Sequence, residues 1–471
     1  MYLSGDTLGL KGDVGVGALV WLVDACLREA LLFAGAGFLV GGIDDLAIDL
    51  MWLRGRIVAR FAAPPSIDTL PRADPPLRLA IFVPAWREDR VIGAMLRSAL
   101  GRIRHADYAI YVGAYPNDPA TIAAVEAVDD PRVRLVIGPV PGPTTKAGNL
   151  NAMWSALRSD DAAAGRATDA LILHDAEDVV DADELRIHDT LLRSHVAVQV
   201  PVVPLIDPAH RLVSGHYADE FAESHSKNLI IRADLGHGLP LAGVGCAIRC
   251  EVLAMLGGQT PFDPGSLTED YELGLKLGAS GHAVAFARYR NRGGRLIATR
   301  AYFPSRISTA VRQKARWMVG IALAGWDRTG WSRGLAWRDH WMRMRDRRAP
   351  LAVLVLAAAY LALVAWGLSL VLHALVGTPV PPLGPALRRL TMVNTALLAW
   401  RLAMRIAMTS GLYGWREGAR AIPRLLVANY ISLLAVSKAL RRYLGTLRGT
   451  PVRWDKTEHV FPAEAMLAEA P

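Results

Sequence analysis

A chain of 471 residues allows two or three packing units, and 52% hydrophobic residues with a mean hydropathy of +0.23 is high for a purely soluble protein. The net charge of +9 does not mark a nucleic-acid binder, because the arginines crowd beside apolar runs instead of forming a basic face with interleaved aromatics. Three cysteines, Cys26, Cys246 and Cys250, lack metal-like spacing, exclude a disulfide framework and fit a reducing compartment.

Residues 1–55 read as an N-terminal membrane anchor. Val16 to Leu53 is apolar but interrupted by Asp24, Arg28, Glu29, Asp44, Asp45 and Asp49, and it has neither the short basic start nor the small-residue cleavage site of a signal peptide. A proline-rich linker (Pro64, Pro65, Pro71, Pro75, Pro76) opens the segment 56–300, where β-rich runs alternate with helical patterns. Leu77–Pro84, Tyr108–Ala114, Val133–Ile137 and Ala170–His174 are expected as strands, and Val91–Leu100, Pro119–Val128 and Ala147–Leu157 as helices, the order of a parallel α/β sheet. Ligands on such sheets bind beyond the carboxyl ends of the strands. Polar residues gather there: Glu88 and Asp89 after the first strand, Asn117 and Asp118 after the second, and Asp175 to Asp178 after the fourth.

Residues 301–348 read as amphipathic interfacial helices and 349–444 as transmembrane or interfacial helices. Ala349–Val376 has no charged residue, with His373 neutral, and exceeds the roughly 20 apolar residues that cross a bilayer. Leu387–Ser410 is expected to cross as well, with Arg401 and Arg405, one helical turn apart, facing protein or water. Arg424–Leu440 is shorter and basic at both flanks, which suits an interfacial or re-entrant helix. Arg328, Arg333, Arg338, Arg343, Arg345, Arg347 and Arg348 precede Ala349, and the positive-inside rule then puts residues from about 54 to 348 in the cytoplasm. Residues 445–471 form a separate C-terminal segment.

Three motifs can carry chemistry. His174-Asp175-Ala176-Glu177-Asp178 brings carboxylates to a strand end, where they suit magnesium or manganese with a diphosphate, or simply an acidic solvated loop. Thr268-Glu269-Asp270 opens a helix, with Thr268 or Ser266 as its N-cap; its carboxylates either complement the helix dipole or supply a general base at Asp270. Gln313, Arg316 and Trp317 share one helical face, able to hold a diphosphate and stack on a sugar, or to lie at a membrane interface. His216, His225 and His237 read as part of a polar helix face and a loop, not as a metal site.

In this order, about 95 and 45 residues apart, the motifs resemble the D-x-D, T-E-D and Q-x-x-R-W motifs of the family-two, cellulose-synthase-like membrane glycosyltransferases, with Glu177 in place of the second Asp. Within that family the chain is most similar to the bacteriophage adsorption protein B branch, through Tyr115 to Thr121, His174 to Asp178, Asp219 to Glu223, Ala242 to Gly245 and Trp454 to His459. The resemblance implies an α/β, GT-A-type glycosyltransferase domain, a mostly parallel sheet with flanking helices, inserted between N-terminal and C-terminal transmembrane or interfacial helices. It also implies that Glu88, Asn117, Asp118 and Lys146 surround the nucleotide, and that Asp175 with Glu177 or Asp178 holds a divalent cation, Mg2+ or Mn2+. Asp270, next to Glu269, would be the catalytic base, and Gln313, Arg316 and Trp317 would line the diphosphate and acceptor. Trp454 to Phe461, including Lys456 and Thr457, is similar to a segment that covers the donor. The branch commonly continues into a domain that senses cyclic di-GMP, and the end at Pro471 leaves that regulation doubtful in this chain.

The expected function is inverting transfer of a sugar from a nucleotide-sugar, a UDP-sugar by preference, to a growing exopolysaccharide. The setting is the bacterial inner membrane, with lipid around the helices and an outer-membrane or periplasmic export partner. The alternatives are a single-addition transferase on a lipid-linked acceptor and a non-catalytic membrane scaffold or receptor component.

Overall fold

The structure is a computed structural model that describes residues 7–58, 60, 62–236, 238–332, 336–450 and 459–462. In chain order the elements begin with α1 (Thr7–Ile57), β1 (Leu79–Pro84), α2 (Ile92–Arg102), β2 (Tyr108–Ala114), α3 (Pro119–Glu126), β3 (Val133–Ile137), α4 (Lys146–Ala164), β4 (Ala170–Leu173) and α5 (Glu184–Leu191). There follow β5 (Ala197–Gln199), β6 (Val202–Leu205), α6 (Val213–Glu223), α7 (Leu229–Asp234), β7 (Cys246–Arg249), α8 (Cys250–Gly257), α9 (Glu269–Ala279), β8 (Val284–Phe286) and β9 (Thr299–Tyr302). The chain closes with α10 (Ile307–Met318), α11 (Ala324–Thr329), α12 (Trp337–Arg347), α13 (Ala349–Val376), α14 (Pro385–Tyr413) and α15 (Trp415–Leu447). It divides into two compact units, Met1–Leu50 with Arg348–Met404, and Met51–Arg347 with Arg405–Pro471.

The larger unit is built on a seven-stranded sheet of order β3-β2-β1-β4-β7-β5-β8. The four strands expected from apolar runs form its parallel half, in register Leu79 with Tyr108 and with Ala170. Alternate residues serve two cores: Ile81, Val83 and Ile172 pack on one face of the sheet, and Ala80, Phe82, Leu171 and Leu173 on the other. Burial on both faces is what a continuous apolar run permits. The sheet is mixed, because β7 runs antiparallel to β4 and β5. Helix starts follow their caps: Asp118 accepts from the Thr121 amide ahead of Pro119, and Thr145 accepts from the Gly148 amide.

In the smaller unit, polar clasps join α1 to α13 at two levels. Arg348 pairs with Asp44 and Asp45, while Asp24 accepts from Ser369 at 2.6 Å and meets His373 at 3.0 Å. The levels are about 21 residues apart along each helix, or roughly 30 Å, the thickness of a bilayer's hydrocarbon core. Charges within an apolar helix are tolerated when paired in this way.

Among the described residues, three helices hold stretches long and apolar enough to cross a membrane: Gly15–Ile57, Ala349–Val376 and Trp415–Leu447. Leu387–Ser410, expected to cross, lies in α14, which is not among them, because its arginines lower its apolarity. Arg401 pairs with Asp45 at 3.1 Å, and Arg405 with Glu223 at 3.1 Å. The expected short helix at Arg424–Leu440 is part of the 33-residue α15. One face of α15 is buried within the larger unit through Ala421, Arg424, Ala428, Ile431, Ala435 and Ala439, with Arg424 bonded to Asp219 and Glu417.

Candidate active site

Three loops at the carboxyl ends of the parallel strands, the first turns of α4 and α9, and one face of α10 supply the candidate residues. The turn after β1 is held by the next one. Arg87 N–H donates to Asp118 Oδ2 at 2.6 Å, and Glu88 N–H donates to Thr121 Oγ1 at 2.9 Å. Arg87 adopts a left-handed φ of 56° here, and Glu88 is turned inward, 4% exposed. Asn117 bonds Gly142 twice, donating to its carbonyl at 2.9 Å and accepting from its amide at 2.7 Å. Asn117 and Asp118, expected at the nucleotide, therefore shape the loops. Beside them a cleft lined by Ala114, Tyr115, Val136, Thr144 and Asn149 opens between β2, β3 and the start of α4.

Lys146, the first residue of α4, is the hub. Its Nζ donates to Asp175 Oδ1 at 2.6 Å. Burial works against its charge, but the carboxylates of Asp175, Glu269 and Asp270 outweigh burial and raise the ammonium above its ordinary range. Two motifs that lie 95 residues apart thus act on one lysine, and Arg316 joins them: its charge lowers both Asp175 and Glu269. Asp175 stays below the ordinary carboxylate range because Lys146, His459 and Arg316 overcome its burial. Glu269 is pushed up to about 7 by burial and by Asp270, and Asp270 is raised chiefly by burial.

Asp270 reaches this position because Gly243, at φ 73°, has no side chain: a Cβ there would lie 2.4 Å from Asp270 Oδ2. Likewise, Gly320 at the end of the α10 face abuts Thr268, whose hydroxyl a Cβ would meet at 2.6 Å. Thr268 occupies the N-cap position without a side-chain cap bond, while Ser266 accepts from the Thr268 amide at 3.2 Å. On α10, Trp317 lies among Tyr217, Phe221 and Phe303, with ring centroids 6.0 to 6.4 Å away, and Gln313 Oε1 is buried without a hydrogen bond.

The acidic loop after β4 divides. Asp178, expected as a cation ligand, has Oδ2 engaged elsewhere: it accepts from the Asp175 amide at 2.8 Å and meets His174 Nδ1 at 3.1 Å. His174 Nε2 lies 2.9 Å from Glu184, and His188 is 3.4 Å from the same oxygen, all three fully buried. Glu177 instead faces Glu88 and His459. His459 Nδ1 lies 2.9 Å from Glu88 Oε1 and 3.2 Å from Glu177 Oε2. Burial and the charges of Asp175, Glu88 and Asp178 push Glu177 up to about 8, with His459 opposing them. These oxygens and the imidazole nitrogen are a donor set that fits a divalent cation.

His459 and the bed of His174, Glu184 and His188 were not among the expected site residues. The signal for His459 was its place in a tail that also carries Trp454 and Phe461. Lys456, Thr457 and His237 lie outside the described residues. His216 and His225 are both buried, His225 accepting from the Val202 amide at 3.1 Å.

Residues 75–320 match the model of a family described as glycosyltransferase-like family 2. Bacteriophage adsorption protein B of Escherichia coli K12 is 35% identical over 487 residues, covering 94% of this chain and 64% of the relative. Bacteriophage N4 adsorption protein B of Escherichia coli O157:H7 matches to the same extent. The chain thus spans less than two thirds of the length of these relatives. In fold it is similar to a mannosyltransferase from Pyrobaculum calidifontis in complex with GDP-Man and Mn2+, with a TM-score of 0.52 and 16% identity over 88% of this chain and 99% of that one.

Proposed function

The chain belongs to glycosyltransferase-like family 2, and on that premise we propose that it transfers a sugar, with inversion, from a nucleotide-sugar to a growing glycan. The observation that carries this reading is the convergence of Asp175, Glu269 and Asp270 on Lys146, with Arg316 acting on Asp175 and Glu269. The donor's nucleotide occupies the cleft between Tyr115 and Asn149, with Asn117 and Asp118 shaping its walls and Glu88 behind. Asp175 and Glu177 hold Mg2+ or Mn2+, which when bound neutralises the diphosphate. Lys456 and Thr457 belong to the segment that covers the donor.

Asp270 accepts the proton of the acceptor hydroxyl as that oxygen bonds to the anomeric carbon. The bond from that carbon to the diphosphate breaks on the opposite side, and the nucleoside diphosphate leaves against Arg316 and Gln313. Lys146 opposes the burial that raises Asp270 and so favours its carboxylate form, and Glu269, beside it, places a second carboxyl in the same field. Trp317, among aromatic neighbours, offers a face for the acceptor sugar. A UDP-sugar is the preferred donor, and the product is an exopolysaccharide passed to an export partner. The setting is the bacterial inner membrane, with the catalytic unit in the cytoplasm and the polar clasps of α1 and α13 marking the two faces of the bilayer.

The test is nucleoside-diphosphate release by the detergent-purified protein over a panel of nucleotide-sugars, with Mn2+, Mg2+ or EDTA, and with Asp270→Asn alongside. Release from one donor that stops with EDTA and falls about a thousandfold in Asp270→Asn is expected. Full release by a folded Asp270→Asn protein would sink the mechanism, and product length separates a polymer from single addition.

A further inference from the structure

We infer that Asp346 on α12 and Arg328 on α11 are positioning residues for the transfer: they grip Tyr271 and Glu272, the two residues that follow Asp270 on α9, and so set where the base stands. The inference rests on the reading of Asp270 as the base and deepens it by naming what aims that carboxylate.

Helix α9 does not fix its own start. Thr268 makes no side-chain cap bond, its buried hydroxyl has no hydrogen-bond partner, and the first turn carries the carboxylates of Glu269, Asp270 and Glu272. The helix dipole favours those charges, but it acts along the axis and leaves the rotation of the turn open. The rotation is fixed from outside. Tyr271, largely buried, donates its hydroxyl proton to Asp346 Oδ2 at 2.8 Å. The same carboxylate accepts from Arg232 Nη1 with both oxygens, at 2.9 and 2.8 Å, and Arg232 Nε donates to the Gly238 carbonyl at 2.8 Å. One residue on, the buried Glu272 accepts from Ser266 Oγ at 2.6 Å, and Arg328 Nε lies 2.9 Å from it. Arg328 also pairs with Asp263.

The two grips belong to one block. Arg347 of α12 lies 4.8 Å from the ring centroids of both Trp326 and Trp331 and donates to Thr329 Oγ1 at 3.0 Å, while Arg343 donates to the Thr329 carbonyl at 3.3 Å. Turning α9 about its axis would therefore have to break Tyr271 from one helix and Glu272 from the other. Buried ion pairs add little net stability over apolar packing, so the contribution of these two is a direction. Asp270 needs one, because a general base must stand within hydrogen-bond reach of a single hydroxyl, and a misplacement of about 1 Å costs on the order of a hundredfold in rate. Helix α12 leads through Arg348 into α13, so the stretch of chain that enters the long apolar helix also aims the base.

The experiment measures transfer by the whole chain in detergent, using the nucleotide-sugar that the wild type turns over in the panel, with rates divided by the number of donor sites counted calorimetrically. Tyr271→Phe removes one hydroxyl and is expected to lower kcat per site about tenfold, with donor KM and Kd unchanged. Asp346→Ala should do the same, and Asp346→Asn, which keeps an oxygen for Tyr271, should recover part of the rate. Tyr271→Phe added to Asp346→Ala should cost nothing further, because both remove one contact, whereas the loss in Arg328→Gln should multiply with either. Wild-type kcat per site in Tyr271→Phe, or losses of Tyr271→Phe and Asp346→Ala that multiply, overturns the inference, as does a loss confined to the number of sites. Asp270→Asn separates the two readings: if it is inactive beside a fully active Tyr271→Phe, the base stands and only its positioning falls, and if it is active the base itself falls. Tyr271→Phe decides even if Asp346→Ala folds poorly.

Discussion

The loop from His174 to Asp178 places similar side chains in two unlike surroundings. Asp175 and Glu177 meet basic groups that come from elsewhere in the site, the ammonium of Lys146 and the imidazole of His459. Asp178 turns the other way and, with Glu184, encloses His174 where no water reaches. The outer set keeps a loosely compensated negative charge that a ligand can complete. The inner set is already complete, and its work is to fix the Asp175 amide and the backbone that presents the outer set. A carboxylate's role here is determined by its partner, not by its place in the motif.

The largest expected effect tests the inner set. Glu184→Gln removes the charge that balances a buried imidazolium and should cost about 3–5 kcal/mol of stability, read as a fall in the unfolding midpoint, with any residual folded protein keeping its donor specificity. A variant as stable as the wild type would mean that the inner set is not a structural bed. Next, Lys146→Met strikes the outer set and should lower the midpoint less than Glu184→Gln does, while lowering kcat/KM about 10²–10³-fold, the usual cost of one preorganised charge. Loss of the ammonium also raises Asp270, so the acidic limb of the pH–rate profile should move to higher pH. An unmoved limb would disconnect Lys146 from Asp270.

The smallest effect lies in the pH dependence of stability, where two buried histidines oppose each other. His174 is held up to about 10, the carboxylates of Glu184 and Asp178 outweighing its burial. Its contribution is complete below pH 6.5 and is lost as pH rises through about 10. His225 is pushed down to about 3 by burial and by Arg288. Its contribution is complete above pH 6.5 and drains away as pH falls towards 3. Unfolding midpoints across pH should therefore weaken on both sides, and His225→Asn should flatten only the acid side.

Much of the fold was legible along the chain. Continuous apolar runs such as Leu79–Pro84 and Ala170–Leu173, alternating with helical patterns, read as doubly buried strands. The antiparallel β7 was not legible, since Cys246–Arg249 is four residues long and its direction is decided by its neighbours. Nor was the fate of α15. Its basic flanks suggested an interface, but only the carboxylates of Asp219 and Glu417 explain how Arg424 can be buried in the middle of it.

By itself the sequence determined the strand runs, the apolar helix Ala349–Val376 and the order of the three motifs, because each depends on residues within a turn or a strand of one another. Only the tertiary structure decided which carboxylates meet Lys146, that Asp178 faces His174, and that His459 returns to Glu88 and Glu177. Apart from Asp178 and His174, which are four residues apart and are oriented by the distant Glu184, those pairings are electrostatic contacts between residues far apart in the chain, and spacing along a sequence carries no information about distance across a folded sheet.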